Sequence, residues 1–474
     1  MNRNRRSSDE FRQTTGVGWD QRACERRPTD CDVDYGGPAL ASSLFPPYIL
    51  LAICLALHGD PARAELPFES EPIHYLTAPV DDPVSRLQAK LDRGEATLKY
   101  DDEHGYLADV LRELGISQSS QVLVFSKTSF QRSKISRRTP RAVYFNDDTY
   151  VGFCQQGEVV EVSTTDPRQG AVFYTLRQQA VEKPAFQRQT HDCLQCHASS
   201  KTQDVPGHLV RSVFPDAIGM PVFNAGTFST SHESPLKERW GGWFVTGRHG
   251  QQTHMGNVIV TNRQRPELLE TAAGANITDL SGLVDASPYL TPHSDIVALM
   301  VLEHQVKMHN LITATNYHAR MALHYEQAIN KALGRPAGSL SESTQSRYKS
   351  PADKLLRYLL FIDEAPLTGE IEGTSRFAEE FVQRGPRDRH GRSLREFDLS
   401  RRLFRYPCSY EIYSDAFAAL PDVAREYLFE RLSAILSGQD HNPDFERLTP
   451  ADREAIQQIL TDTLPGFADR RVDY

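Results

Sequence analysis

Apolar residues recur along this chain with two different periods. From residue 65 to about 115 the spacing is helical: Pro83-Val-Ser-Arg-Leu-Gln-Ala-Lys-Leu91 and Leu107-Ala-Asp-Val-Leu-Arg-Glu-Leu-Gly115 place apolar side chains at i, i+3 and i+4. Gly115 suits the end of the second helix. The period then shortens to two. Segments 121–125, 142–145, 150–153, 159–162 and 171–175 are short apolar or alternating runs between turn residues such as Asn146-Asp-Asp148, which predicts a small, largely antiparallel sheet. Further strands are expected over 209–214, 243–245 and 258–261, between glycine-rich loops.

From Ser294 the helical period returns. One long helix is expected from Asp295 to Leu333, capped by Ser294 and stopped by Gly334. A polar, serine-rich loop or linker is expected over 339–350, then helices over 410–436 and 450–464, the last opened by Thr449 and Pro450. The expected class is α+β: a mixed, β-rich region over 65–293 followed by a largely helical region over 294–474.

Composition supports a globular protein. The chain has 474 residues, 39% hydrophobic and 24% charged, enough for two or three packed cores. The formal charge is -9 and the basic residues are dispersed, so no nucleic-acid footprint is expected. Near the start, the apolar run 48–57 is followed by Pro61-Ala-Arg-Ala64, an export signal's apolar core and small-residue cleavage site. At about ten residues the run is too short to cross a bilayer core of about 30 Å, so residues 1–64 read as an export segment that is removed, with no transmembrane anchor. The long polar stretch before it, with Asp30, Asp32 and Asp34, fits a misassigned start or an extended signal region. Removal of this segment, which holds Cys24, Cys31 and Cys54, leaves Cys154, Cys193, Cys196 and Cys408, too few for a disulfide scaffold.

Two of those four carry chemistry. In Cys193-Leu-Gln-Cys-His197, cysteines three apart match the two vinyl groups of a haem, and the next histidine is placed to bind its iron. Such a string arises by chance in roughly 0.004 chains of this composition, so the motif is specific. Structural zinc would need a second ligand pair at knuckle spacing, and a redox dithiol would open a helix early in a small α/β domain. The motif resembles that of c-type cytochromes, on Cys193, Cys196 and His197. Arg239-Trp-Gly-Gly-Trp-Phe-Val-Thr-Gly247 and Phe404-Arg-Tyr-Pro-Cys408 resemble parts of large bacterial proteins with a cytochrome c signature. The resemblance implies one covalently attached haem c with His197 as proximal ligand. The flanking β pattern argues against the small helical cytochrome fold.

The sixth iron position has several candidate ligands. Met255 lies 58 residues after His197, similar to the separation in small cytochromes, and His254 stands beside it. His304 shares a helical stripe with Val297, Val301, Met308, Leu311 and Thr315; Met220 is a weaker fourth. Trp240 and Trp243 are candidates to pack on the ring, Arg211, Arg239 and Arg248 to pair with propionates, and Cys154 and Cys408 to form a disulfide. Three functions follow: an exported electron carrier with a redox partner protein, a haem oxidoreductase or peroxidase with an open sixth position and polar residues such as His249 and Asn257, or a binding or sensory module with structural haem or zinc. No phosphate loop or dinucleotide fingerprint is present.

Overall fold

A computed structural model of the chain describes residues 68–467. The expected export segment and its three cysteines lie outside them. The class is α+β: a six-stranded antiparallel sheet is followed by a helical region. Two helices come first, α1 (Pro83–Asp92) and α2 (Leu107–Glu113). Asp82 caps α1 by accepting bonds from the backbone of Val84 and Ser85, and Tyr174 of the sheet donates to its other oxygen at 2.7 Å, fastening helix to sheet.

The sheet is a meander in chain order: β1 (Val122–Val124), β2 (Arg141–Phe145), β3 (Thr149–Phe153), β4 (Val159–Asp166), β5 (Gly170–Arg177) and β6 (Phe186–Gln189). The alternation of its residues gives each face a separate core. Leu123, Phe125, Ala142, Tyr144 and Val151 pack with Val84, Leu87, Leu107 and Val110 of α1 and α2. Val122, Val124, Val143, Phe145 and Tyr150 point the other way, into the core of the helical region.

The short helix α3 (Leu194–His197) follows β6 and carries the motif. A small hairpin, β7 (Arg211–Val213) with β8 (Thr227–Ser229), comes next. Segment 258–261 forms no strand: Val258 and Val260 are buried, but the Val260 amide donates to Pro215 in a loop. Trp243 makes only an isolated bridge to Val124.

The helical region is built on α4 (Ile296–Leu333), stopped by Gly334 in the left-handed conformation. Asp295, not Ser294, is its cap, accepting from the amides of Val297 and Ala298. Ser294 instead donates to the Phe244 carbonyl and accepts from the Leu123 amide, tying the helix to β1. The expected linker over 339–350 is largely helical: α5 (Glu342–Leu359) starts at Ser341 and lies against α4, burying Thr344, Tyr348, Ala352, Leu355 and Leu356. Its first two turns hide because their buried positions are widely spaced among polar residues. Then come α6 (Phe377–Val382), α7 (Asp415–Ala418), α8 (Asp422–Leu436) and α9 (Pro450–Thr463). The helix expected over 410–436 is interrupted at Ser414, a cap, and at Pro421. Among the described residues no helix is long and apolar enough to cross a membrane.

Candidate functional site

The face of the sheet turned toward α4 carries, besides its apolar residues, an unbroken row of small and polar ones. Val143 lies opposite Gly152, Gly152 opposite Glu161 and Glu161 opposite Thr175; Tyr150, Ser163, Phe173 and Gln189 form the neighbouring row. These side chains leave a cavity of about 620 Å³ between the sheet, α3 and the α4 residues Leu302 and Val306. Cys193, Cys196 and His197 all lie in its wall. That volume is in the range of cofactor sites, roughly 300–1,000 Å³. Gly152 leaves room for the Arg141 guanidinium, which a Cβ there would meet at 2.1 Å and displace.

His197 is positioned from behind. Its Nδ1 lies 2.9 Å from the Gly207 carbonyl oxygen and so donates to it, which leaves Nε2 unpaired at the cavity wall. Gly207 is held in turn by α4: Asn310 accepts from the His208 amide at 2.9 Å and donates to the His208 carbonyl at 2.8 Å. A Cβ on Gly207 would meet the Asn310 side-chain oxygen at 2.3 Å. Phe173 packs against the His197 ring at 4.9 Å between centroids. The ring is partly open to the cavity but otherwise enclosed by protein; that enclosure lowers its pKa, opposed by the Gly207 bond, and favours the neutral form a metal requires.

The two cysteines are free thiols, Cys196 exposed and Cys193 half-buried. Burial pushes the Cys193 thiol up to about 11, opposite to the low value a reactive redox dithiol uses. Among the described residues no three His, Cys, Asp or Glu side chains come together as a metal cluster. Lys127, Arg132, Arg141 and Arg211 in the wall outnumber the carboxylates Glu161 and Asp192. Arg141 binds Glu161 at 2.6 Å, yet its Nε and that of Arg211 are buried without partners. Trp243, 7% exposed, lines the wall and donates from its ring nitrogen to the Arg211 carbonyl at 2.8 Å. No family model matches the sequence, and no curated protein or solved structure is similar to it. The chemistry of the site therefore rests on its own residues. A cavity with apolar and cationic walls, an unpaired imidazole nitrogen and two flanking thiols is compatible with a flat, dianionic metallocycle such as haem.

Of the sequence candidates, Trp243 and Arg211 meet the motif at the cavity, whereas the sixth-position candidates do not. Met255 is buried against Ser212, whose hydroxyl lies 3.7 Å from its sulfur. His254 accepts from the Gly256 amide at 3.0 Å and packs edge-on against Trp240. His304 is held between His232, 2.8 Å away, and the Ser409 hydroxyl, also at 2.8 Å. None of the three, nor Met220, lines the cavity. Arg239 forms a buried ion pair with Glu303, and Arg248 is an exposed residue near Glu372, so neither is available to the cavity. Cys154 and Cys408 are separate buried thiols.

Sequence reasoning missed His208, Tyr150, His309 and Glu411. His208 is the other imidazole of the wall, and its two nitrogens lie 3.4 and 3.3 Å from the hydroxyls of Ser163 and Thr165. Thr165 and the hydroxyl of Tyr150 both reach Nδ1 of His309, and Nε2 of His309 lies 3.2 Å from Glu411.

Proposed function

We propose that the cavity takes one haem c, thioether-bonded to Cys193 and Cys196 and ligated by His197, in an exported monohaem protein that exchanges electrons with a partner protein. The observation that carries this reading is the unpaired Nε2 of His197 at the wall of a 620 Å³ cavity, in the one segment where two cysteines have thioether spacing. Haem, when bound, supplies a one-electron iron couple. The chain's own residues would do the rest. The Gly207 carbonyl fixes the plane and tautomer of His197. Phe173, Leu302, Val306 and Trp243 would exclude water, and the positive charge of Arg141 and Arg211 in the wall suits the two propionates.

A specific observation favours a second reading, a haem oxidoreductase or peroxidase with an open sixth position. Among the described residues the cavity wall holds no methionine, and its other imidazole, His208, is engaged through both nitrogens. One experiment tests both. The chain is expressed with c-type haem maturation machinery and a pyridine haemochrome spectrum is recorded, followed by reduced spectra with and without carbon monoxide. One thioether-bonded haem per chain is expected, lost on Cys193→Ala with Cys196→Ala. Absence of covalent haem overturns the proposal. A low-spin spectrum indifferent to carbon monoxide assigns electron transfer; carbon monoxide binding assigns the open site.

A further inference from the structure

The haem reading leaves a buried chain of polar groups unused. Tyr150 lines the cavity with its ring, 4.5 Å from the ring of His208, and its hydroxyl accepts from Gln305 at 2.9 Å and lies 3.1 Å from Nδ1 of His309. Thr165 bridges the same two histidines, 3.3 Å from His208 and 3.0 Å from His309. His309 then meets Glu411, whose second carboxylate oxygen is buried with no partner. His309 and Glu411 are 2% and 1% exposed. His309 stands one turn beyond the wall, since Leu302 and Val306 precede it on the same face of α4, and Glu411 lies on its far nitrogen. The chain thus runs from the cavity through hydroxyls to an imidazole–carboxylate pair sealed from water.

Resting on the haem reading above, we propose that the His309–Glu411 pair is the proton acceptor of the cavity, taking up one proton when the cavity group gains one electron. The balance is simple: an external donor, an electrode or a reduced protein partner, supplies the electron, solvent supplies the proton, and the buried region gains no net charge. Uncompensated charge in such a low-dielectric interior is costly, which is the physical reason for the coupling. The groups facing the pair are Thr165 and Tyr150 from the sheet, His208 from the loop before β7, Asp147 and Asp148 from the β2–β3 turn, Gln305 and His304 from α4, and Ser409, Tyr410 and Arg395 from the helical region. Burial lowers His309, but the charge and hydrogen bond of Glu411 together with the charges of Asp148 and Asp147 raise the imidazole on balance. A raised imidazole is already protonated at and somewhat above its ordinary value near 6.5, so uptake of a further proton on reduction begins only above that raised value.

The test is a spectroelectrochemical titration of the haem-loaded protein between pH 6 and 9. The midpoint potential is expected to fall with rising pH, approaching a tenfold change in the redox equilibrium per pH unit, about 59 mV for one electron. His309→Gln and Glu411→Gln should flatten that slope, because an amide keeps the shape and holds no exchangeable charge. A pH-independent potential in the wild type, or an undiminished slope in either folded variant, overturns the proposal. If both variants fail to fold, the reduced-minus-oxidised infrared difference spectrum of wild-type protein carrying isotope-labelled histidine decides. An imidazole protonation band supports the proposal and its absence overturns it. A preparation with no covalent haem overturns the underlying reading and this one together, whereas loaded protein with a flat potential overturns this one alone.

Discussion

Two sets of largely enclosed histidines occupy this molecule, and they look alike until their partners are compared. His197, His208 and His309 border or back the cavity; His232, His249, His254 and His304 are enclosed among the 231–257 loops, α4 and α5. Burial lowers the pKa of His197 and His208 in the first set and of all four in the second, with His254 and His304 brought down to about 3. Desolvation therefore does not mark a ligand. The distinction lies in a nitrogen left free beside empty volume: His197 has both, while His304 spends its two nitrogens on His232 and Ser409 and is stacked against Phe361 at 4.6 Å. The enclosed set packs inside the fold, while the cavity set borders or backs open volume.

The largest effect expected of this contrast is on stability, in the enclosed set. Arg239 holds Glu303 in a fully buried ion pair and donates three further bonds to the carbonyls of His232 and Ser234. Burial already pushes Glu303 up to about 7, with Arg239 opposing it. Arg239→Leu leaves that carboxyl without its cation and is expected to cost about 3–5 kcal/mol in urea unfolding, while Arg239→Leu with Glu303→Leu recovers much of the loss. Covalent haem per folded chain should not change. A cost below about 1 kcal/mol, or a selective loss of haem, would erase the division between the two sets.

How far this division is legible in the sequence follows from where the information sits. Five strands show through their apolar alternation, but β6 does not, because Phe186-Gln-Arg-Gln189 is a polar edge strand recognised only by its backbone pairing to β5. The motif reads directly, since thioether spacing is local. The rest of the site is not local: Tyr150, His208, His309 and Glu411 lie on separate elements and meet only when the sheet docks on α4. Even the helix misleads. Its buried residues run nearly without interruption from Ile296 to Tyr317, so no single stripe identifies the face that backs the cavity. The His304 stripe is real, but it faces Tyr358 and Phe361, while Leu302, Val306 and His309 face the site.

A middle-sized effect should appear where α4 holds the cavity set in place. Asn310 is the sole side chain bonded to both the amide and the carbonyl of His208 among the described residues, and it fixes the loop whose Gly207 carbonyl orients His197. Asn310→Ala leaves two buried backbone groups unsatisfied, expected to cost about 2–3 kcal/mol. Because the loop also sets the His197 ring plane, the oxidised haem protein should show a broadened or split electron paramagnetic resonance signal, which an equally destabilising change such as Leu355→Ala in α5 should not. Identical spectra in the two variants would detach Asn310 from the site and leave it an ordinary core contact.

The smallest effect is the most diagnostic, because the sequence pointed to Met255 as an axial ligand and the structure gives it other work. Met255 is 4% exposed, its sulfur faces the Ser212 hydroxyl, and its terminal methyl lies 3.1 Å from where a Cβ on Gly241 would stand. Met255→Leu conserves volume and removes one weak acceptor, so it should cost less than about 1.5 kcal/mol. Ser212 keeps its bond from the Gly241 amide at 2.8 Å, which limits the loss further. If Met255 belongs to the enclosed set, the oxidised and reduced spectra and the midpoint potential of Met255→Leu match those of the wild type. An axial methionine raises the potential of the iron it binds, so replacing such a ligand would lower the potential and change the spin state. A substitution that leaves folding intact yet shifts both would move Met255 across the boundary, and with it the loop that joins it to His254.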